Sequence, residues 1–163
     1  MTPEFVTIGA YGFDEAGFFA ALQDAEVDTF CDIRRRRGVR GSAYAFANSQ
    51  RLQGRLAELG IRYVYRADLA PSPSVRRTQE LADKASKTAK RKRTALDITF
   101  AEAYRREFLD GFDCRQFVME LGEEARVVAL FCVEREPAAC HRSLVAERLG
   151  MEMGATVRHL LPG

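Results

Sequence analysis

The residues best suited to chemistry lie close together in the C-terminal part of the chain. Residues 131–149 read FCVEREPAACHRSLVAERL, in which an apolar run is followed by Cys132, Glu134, Cys140, His141 and Arg142. A helix N-terminus and a neighbouring cation lower the pKa of a thiol, so Cys140 is a candidate nucleophile, and Cys132 is the alternative. An arginine six positions after Cys132 would indicate a thiolate phosphatase loop, but Ala138 stands there. The segment therefore offers two thiols without indicating a phosphatase.

His141 and Arg142 begin the helical pattern that follows these thiols. Helical spacing puts His141 on the same face as Leu144 and Val145, so its ring is expected to point inward, near the strand ends. An imidazole there is either a core histidine satisfied by a hydrogen bond or a general acid or base, and the spacing alone favours the core role. Arg142 and the backbone donors of the helix start are candidates for binding an oxyanion or a phosphate.

A second group of candidates surrounds the end of the predicted second strand. Asp32 ends that strand close to Arg34. An acid in this position can orient a ligand hydroxyl, accept a proton or form a salt bridge with the arginine, and the salt bridge is the simplest interpretation. Arg34 is also a candidate for holding an anion. Further candidate ligand contacts are Ser42, Glu134 and Gly9. Gly9 and Gly12 form only part of a dinucleotide-binding fingerprint, which is a weak signal.

Short β-rich runs alternate along the chain with longer segments of helical period, which is typical of an α/β fold with a mainly parallel sheet. The predicted strands cover residues 5–9, 28–33, 61–65, 127–133 and 156–160, and the last helix is expected over 137–149. The run 127–133 is apolar throughout, as a strand covered on both faces requires. Right-handed crossovers then give a five-stranded sheet of order 3-2-1-4-5 in three layers, with strands one and four at the centre.

The predicted sheet brings the candidate residues to one edge. In open parallel sheets, ligands bind beyond the carboxyl ends of the strands, where the strand order reverses. This rule selects the loops 10–13, 34–46 and 134–141, so we expect Asp32 and His141 to line one cleft. With 163 residues, of which 47% are hydrophobic, the chain fits one α/β domain over residues 1–163, with a basic helical insertion at about 71–94.

Positive charge is concentrated in two segments. Residues 34–40 contain five arginines and no acid, and residues 76–93 contain eight basic and two acidic residues. Because the whole chain carries a formal net charge of only +2, the remaining residues are acidic in sum. This distribution is compatible with an anionic partner, either a phosphorylated small molecule or a nucleic acid. The alternative is a solvated basic loop and helix, which is as good an interpretation of residues 76–93 but a weaker one of residues 34–40.

The basic segments also permit two other interpretations. In the first, nucleic-acid phosphates are contacted by Arg35, Arg36, Arg37, Lys90, Arg91, Lys92 and Arg93. Residues 76–93 contain no aromatic side chain for base stacking, so such binding would be sensitive to salt and largely independent of sequence. In the second, the basic segment docks on the acidic part of a second subunit. The sequence does not decide the oligomeric state.

Cysteine usage and hydropathy exclude several classes of protein. The four cysteines are scattered without a C-x-x-C pair, which indicates neither a disulfide framework nor a structural metal, and no motif names a cofactor. No apolar run approaches the length of a membrane span, and residues 1–11 lack the basic start and apolar run of a signal peptide. We therefore expect a soluble cytoplasmic protein with no membrane partner.

Four motifs in order resemble the bacterial and archaeal family catalogued as domain of unknown function 488. They are Thr7-Ile8-Gly9, Asp32-Ile33-Arg34 with Ser42 and Phe46 downstream, Gly60-Ile61 with Tyr63, and Cys132 with Glu134 followed by Cys140-His141-Arg142-Ser143. The resemblance covers nearly the whole chain and implies a compact α/β domain, but it implies no particular reaction. The chain departs from the family in lacking a proline after the second motif and in carrying Ala70-Pro71-Ser72 in place of a glycine pair.

These observations lead to a functional hypothesis. The chain is expected to be an enzyme or a ligand-binding domain for a phosphate-bearing small molecule, such as a nucleotide or modified nucleoside. Arg34 and Arg142 would hold the anion, His141 would act as general acid or base, and Asp32 would orient the histidine or the substrate. The resemblance strengthens the functional role of His141 and Arg142, whose residue types belong to the family signature.

Overall fold

Five strands form one parallel sheet in the computed structural model, which describes residues 2–89 and 92–163. The strands are β1 (Glu4–Ile8), β2 (Thr29–Asp32), β3 (Arg62–Tyr65), β4 (Val127–Phe131) and β5 (Val157–Leu160). Each coincides with a predicted strand to within two residues at either end. The predicted α/β fold class with a parallel five-stranded sheet is therefore confirmed.

The predicted strand order, however, was wrong in the placement of β4. The observed order is β3-β2-β4-β1-β5, so β4 lies between β1 and β2, which do not pair with each other. The prediction assumed that strands adjacent in sequence are neighbours in the sheet. Asp28 provides a reason for the different order, because its carboxylate accepts hydrogen bonds from the backbone N–H groups of Arg126 and Val127 and ties the start of β4 to β2. The predicted pairing of β1 with β4 and the edge position of β5 are confirmed.

Helices cover both faces of this sheet. They are α1 (Glu15–Asp24), α2 (Ser49–Glu58), α3 (Pro73–Ser86), α4 (Ile98–Tyr104), α5 (Cys114–Leu121) and α6 (His141–Met153). A π-helical turn, Arg105–Leu109, continues α4, and 3-10 turns occupy Ser42–Ala47, Ala67–Leu69 and Pro137–Ala139. No helix among the described residues combines the length and the apolar character that a membrane crossing needs.

Alternating side chains of β4 supply both halves of the core. Ala129 and Phe131 pack in a cluster with residues of α1 and α2, while Val128 and Leu130 pack in a second cluster with residues of α4, α5 and α6. All four side chains are fully buried. This two-sided burial explains why the most apolar run of the sequence occupies the middle of the sheet.

The last helix begins later than predicted. Pro137 starts a 3-10 turn that ends at Ala139, and Cys140 then has extended backbone angles, φ −139° and ψ 146°. The helix therefore begins at His141, and Cys140 precedes it. This short extended step turns the Cys140 thiol toward the ring of the residue that follows it.

Candidate functional site

A cavity of about 640 Å³ opens beyond the carboxyl ends of β2 and β4. Its wall is formed by the loop 34–40, by α3, by the segment that leads into α4, and by residues 132–141. Among the lining residues are Cys132, Cys140 and His141, which we call the Cys-Cys-His cluster. The cavity thus lies where the rule for open parallel sheets predicts a ligand.

The Cys-Cys-His cluster joins the end of β4 to the start of α6. Cys132 directly follows β4, and its backbone N–H donates to the Ile8 carbonyl, 3.4 Å away. The Cys140 Sγ lies 3.8 Å from Nδ1 of His141. One donor atom from each of the three residues lies within 4.8 Å of the other two, so among the described residues this group is close enough to share a metal ion.

The cluster favours charge separation between its thiol and its imidazole. Burial opposes ionisation of Cys140, but a hydrogen bond with Cys132 and the positive charges of His141 and Arg142 outweigh it, so the pKa of Cys140 lies well below its ordinary value. Burial also opposes protonation of His141, but Cys140 and the Glu134 carboxylate raise its pKa above the ordinary value. Each group thus stabilises the charged form of the other.

The His141 ring is held from two other sides. Its Nε2 donates a hydrogen bond to the Ile33 carbonyl oxygen, 3.0 Å away, and its ring lies edge-on to Tyr104 with 5.5 Å between ring centroids. The Tyr104 hydroxyl in turn donates to the Leu69 carbonyl oxygen at 2.5 Å. Both roles that the sequence allowed for this histidine are thus compatible with the structure: the ring is buried and hydrogen-bonded, and it also lines the cavity.

Asp32 lies behind this cavity and does not line it. The fully buried carboxylate of Asp32 accepts from Nε and Nη2 of Arg34, at 2.9 and 2.8 Å, and from the Tyr63 hydroxyl at 2.6 Å. Nη1 of Arg34 donates to the Ala47 carbonyl oxygen. The salt bridge, the simplest of the interpretations that the sequence allowed, is therefore present. The ring of His141 contacts the backbone carbonyl of Ile33, the residue that follows Asp32.

Arg142 is fully buried and holds the loop that follows β4. Its Nη1 and Nη2 donate to the carbonyl oxygens of Glu134 and Arg135, at 2.6 and 3.1 Å. Gly9 packs against the same loop, because a Cβ built on Gly9 would lie 1.8 Å from the Glu134 carbonyl oxygen and 3.2 Å from Nη1 of Arg142. Gly9 and Arg142 thus position the loop that carries Cys132 and Cys140, and neither lines the cavity.

Arg93 makes a set of contacts that the sequence did not indicate. Its guanidinium donates to Asp83 at 2.7 Å, to Glu134 at 3.0 Å and to the Ala139 carbonyl oxygen at 3.0 Å. Only 10% of the Arg93 side chain is exposed. In a run of basic residues, an inward-facing arginine carries no local signal, because its acidic partners are distant in sequence.

A family model described as Domain of unknown function DUF488 matches residues 16–149. The chain belongs to the DUF488 family. No curated protein and no solved structure matches this DUF488 chain. The matched range includes the Cys-Cys-His cluster, Asp32 and Arg34, while β1 with Gly9 and β5 lie outside it.

The basic residues of this DUF488 chain divide between the cavity and other contacts. Those that line the cavity are Arg34, Arg35, Arg36, Arg40, Arg76, Lys92 and Arg93, against the acidic residues Glu80, Asp83 and Glu134. Arg37 instead stacks on the Tyr65 ring at 4.2 Å, and Ser42 is exposed away from the cavity. Lys90 and Arg91 lie outside the described residues. Nucleic-acid binding by this set remains a prediction.

Proposed function

We propose that the protein is an enzyme that binds a phosphate-bearing small molecule, such as a nucleotide or modified nucleoside, in the cavity and acts on it at the Cys-Cys-His cluster. The observation that carries this proposal is the excess of cationic side chains around a cavity whose floor holds a thiol and an imidazole. A volume of about 640 Å³ falls within the range of small-molecule sites.

Ion pairing decides which cations are suited to hold the ligand. Arg34 is matched by Asp32, and Arg93 is matched by Asp83 and Glu134. Four other cations of the lining have no acidic partner in this set: Arg35, Arg36, Arg76 and Lys92; among the described residues, the further acidic side chain of the lining is Glu80. We therefore assign the anion contact to Arg35, Arg36 and Arg76 instead of Arg34 and Arg142, because an arginine can form bidentate hydrogen bonds with phosphate oxygens.

The groups on the cavity floor suit a reaction at the bound molecule. His141 can transfer a proton, because its ring lies at the cavity surface and is oriented by the Ile33 carbonyl. The Cys140 thiol is its immediate neighbour. The cations of the cavity would hold the substrate through its phosphate group. Another part of the same molecule would then lie against the Cys-Cys-His cluster, where it can react.

Thermal unfolding with added ligand tests the proposal. The panel contains inorganic phosphate, nucleoside monophosphates and triphosphates, and sugar phosphates, each with chelator present. A ligand at about 100 times its Kd adds about 2.7 kcal/mol to the free energy of unfolding. For a chain of this size that should raise Tm by roughly 5 to 10 °C.

Two adjacent arginines of α3 provide a matched pair of variants. Arg76 lines the cavity, whereas Arg77 is exposed and does not. We expect Arg76→Gln to weaken the binding of the stabilising ligand and Arg77→Gln to leave it unchanged. His141→Gln should keep the thermal shift and lose the conversion of that ligand, measured by mass spectrometry of the products. No shift with any phosphate compound, or equal losses in the two arginine variants, would contradict the proposal.

A further inference from the structure

We infer that Cys132, Cys140 and His141 bind one zinc ion, with a fourth coordination position facing the cavity. The inference goes beyond the proposed function, because it names a metal for the cluster and stands whether or not the cavity binds a phosphate. With the ion bound, both ring nitrogens of His141 are engaged, so His141 is then a ligand and no longer the proton-transfer group. Two thiolates and one imidazole are donors that zinc prefers, and three protein ligands with one open position are typical of catalytic zinc sites.

The distances fit a tetrahedral ion. Zinc–sulfur bonds of about 2.3 Å and zinc–nitrogen bonds of about 2.0 Å place sulfur and nitrogen roughly 3.5 Å apart in a tetrahedral site. The observed separation of the Cys140 Sγ from Nδ1 of His141 is 3.8 Å. Because donor atoms of all three residues lie within 4.8 Å of each other, only small side-chain rotations are needed to enclose the ion.

The ligand nitrogen is already oriented. Nε2 of His141 donates to the Ile33 carbonyl oxygen at 3.0 Å, so in the neutral ring the lone pair lies on Nδ1, the atom that faces Cys140. Metal-bound histidines commonly donate their second ring nitrogen to a carbonyl or carboxylate in this way, which fixes the tautomer and the direction of the ring. Without that contact the ring could present either nitrogen.

The backbone around the cluster holds the donors in place. Cys132 directly follows the central strand β4, and His141 is the first residue of α6. The 3-10 turn Pro137–Ala139 and the extended Cys140 bring the second thiol back to the first across seven intervening residues. A site built on element ends of this kind is more rigid than one carried by a free loop.

Charge balance permits a dication beside the arginines. Two thiolates cancel the two positive charges of the ion, so the zinc site adds no net charge to the cavity. The nearest arginines are already engaged, since Arg93 pairs with Glu134 and Arg142 donates to backbone carbonyls. All three ligands line the cavity, so the remaining position of the ion is accessible to water or to an oxygen atom of the bound molecule.

Titration with cobalt and zinc tests the inference. Tag-free chain is reduced, treated with chelator, desalted and titrated anaerobically with Co²⁺. Binding of Co²⁺ to thiolates gives a charge-transfer absorption band. Zn²⁺ is then added to displace the bound Co²⁺. We expect one ion per chain. Loss of a residue that only hydrogen-bonds to a metal ligand commonly weakens metal binding by about 10- to 100-fold. Loss of a ligand itself should cost more, so we expect Cys132→Ala and Cys140→Ala each to weaken Zn²⁺ binding by more than about 100-fold.

Cys114→Ala is the matched control, because Cys114 is also buried but lies at the start of α5, outside the cluster. It should bind Zn²⁺ as the wild-type chain does.

If a cluster variant fails to fold, the wild-type chain still provides the answer: Zn²⁺ should slow alkylation of Cys132 and Cys140, read by mass spectrometry, without changing that of Cys114. Wild-type chain that shows no thiolate–Co²⁺ absorption, or cluster variants that bind like wild type, would overturn the inference. The thermal unfolding experiments with phosphate compounds are done with chelator present, so an absence of phosphate binding there and an absence of zinc binding here are independent results.

Discussion

Two ion pairs of the same local geometry allow a sharp prediction about stability. Asp32 pairs with Arg34 and Asp68 pairs with Arg66; in each pair the residues are two positions apart, and Nε and Nη2 of the arginine bind the two carboxylate oxygens at 2.8 to 2.9 Å. The environments differ. The side chains of Arg34 and Asp32 are 3% and 0% exposed, while those of Arg66 and Asp68 are 21% and 62% exposed.

The difference in burial sets the expected magnitudes. Asp32→Ala leaves the buried guanidinium of Arg34 without its counter-charge and removes the acceptor of the Tyr63 hydroxyl. Removing one partner of a buried pair costs about 3 to 5 kcal/mol, whereas an exposed pair contributes about 0 to 1 kcal/mol. We therefore expect Asp32→Ala to lower the free energy of unfolding by about 3 to 5 kcal/mol and Tm by roughly 6 to 20 °C, and Asp68→Ala to lower it by less than about 1 kcal/mol.

Urea unfolding followed by circular dichroism measures both variants on one scale. A double variant, Asp32→Ala with Arg34→Met, adds a further check, because removing both charges should recover part of the loss. Equal losses for Asp32→Ala and Asp68→Ala would refute the argument from burial. A double variant no more stable than Asp32→Ala would show that the loss does not come from an uncompensated arginine.

Two further predictions concern packing and pH. Gly9→Ala should destabilise the fold and lower Tm in differential scanning fluorimetry, because the new Cβ would meet a backbone carbonyl oxygen at 1.8 Å. Gly54→Ala lies within α2 with nothing within 4 Å of the new Cβ, so it should instead add about 0.5 to 1 kcal/mol to the free energy of unfolding. The opposite order of the two Tm values would contradict this reasoning. Burial raises the pKa of the Cys31 thiol from 9.0 to about 12, so above pH 9 the unfolded chain loses this proton before the folded chain does. The free energy of unfolding should therefore fall as pH rises from about 9 to about 12, by at most about 1.4 kcal/mol per pH unit from this group. Urea unfolding at several pH values should show a shallower fall for Cys31→Ala than for the wild-type chain. Equal slopes for the two chains would contradict the assignment of this pH dependence to Cys31.

The sequence predicted the strands well, because each is a short run bounded by turn-forming residues or helical segments, and the central ones are strongly apolar. It did not predict that β4 lies between β2 and β1, since the same runs are compatible with β4 on either side of β1. The deciding contact is the carboxylate of Asp28, which accepts from two backbone N–H groups nearly a hundred residues away. Such a contact leaves no local pattern in the sequence.

The site was predictable in its residue types and less so in their roles. His141 faces inward, as helical spacing predicted, and the cluster lines a cavity at the strand ends. The anion-binding roles of Arg34 and Arg142 stay predictions, and the structure engages both guanidinium groups with carboxylate or carbonyl oxygens. The three-donor cluster did not stand out, because an extended residue after a 3-10 turn brings Cys140 back to Cys132 without the short spacing of a familiar zinc motif.

The central position of β4 has a consequence for how the protein is made. Its residues 127–131 pair with residues 4–8 on one side and 29–32 on the other, so β1 and β2 lack the strand that joins them until the ribosome has synthesised β4. Long-range pairings of this kind slow folding and leave apolar edges exposed in nascent chains. We expect the emerging polypeptide to depend on chaperones until β4 has been translated, and then to fold in one cooperative step.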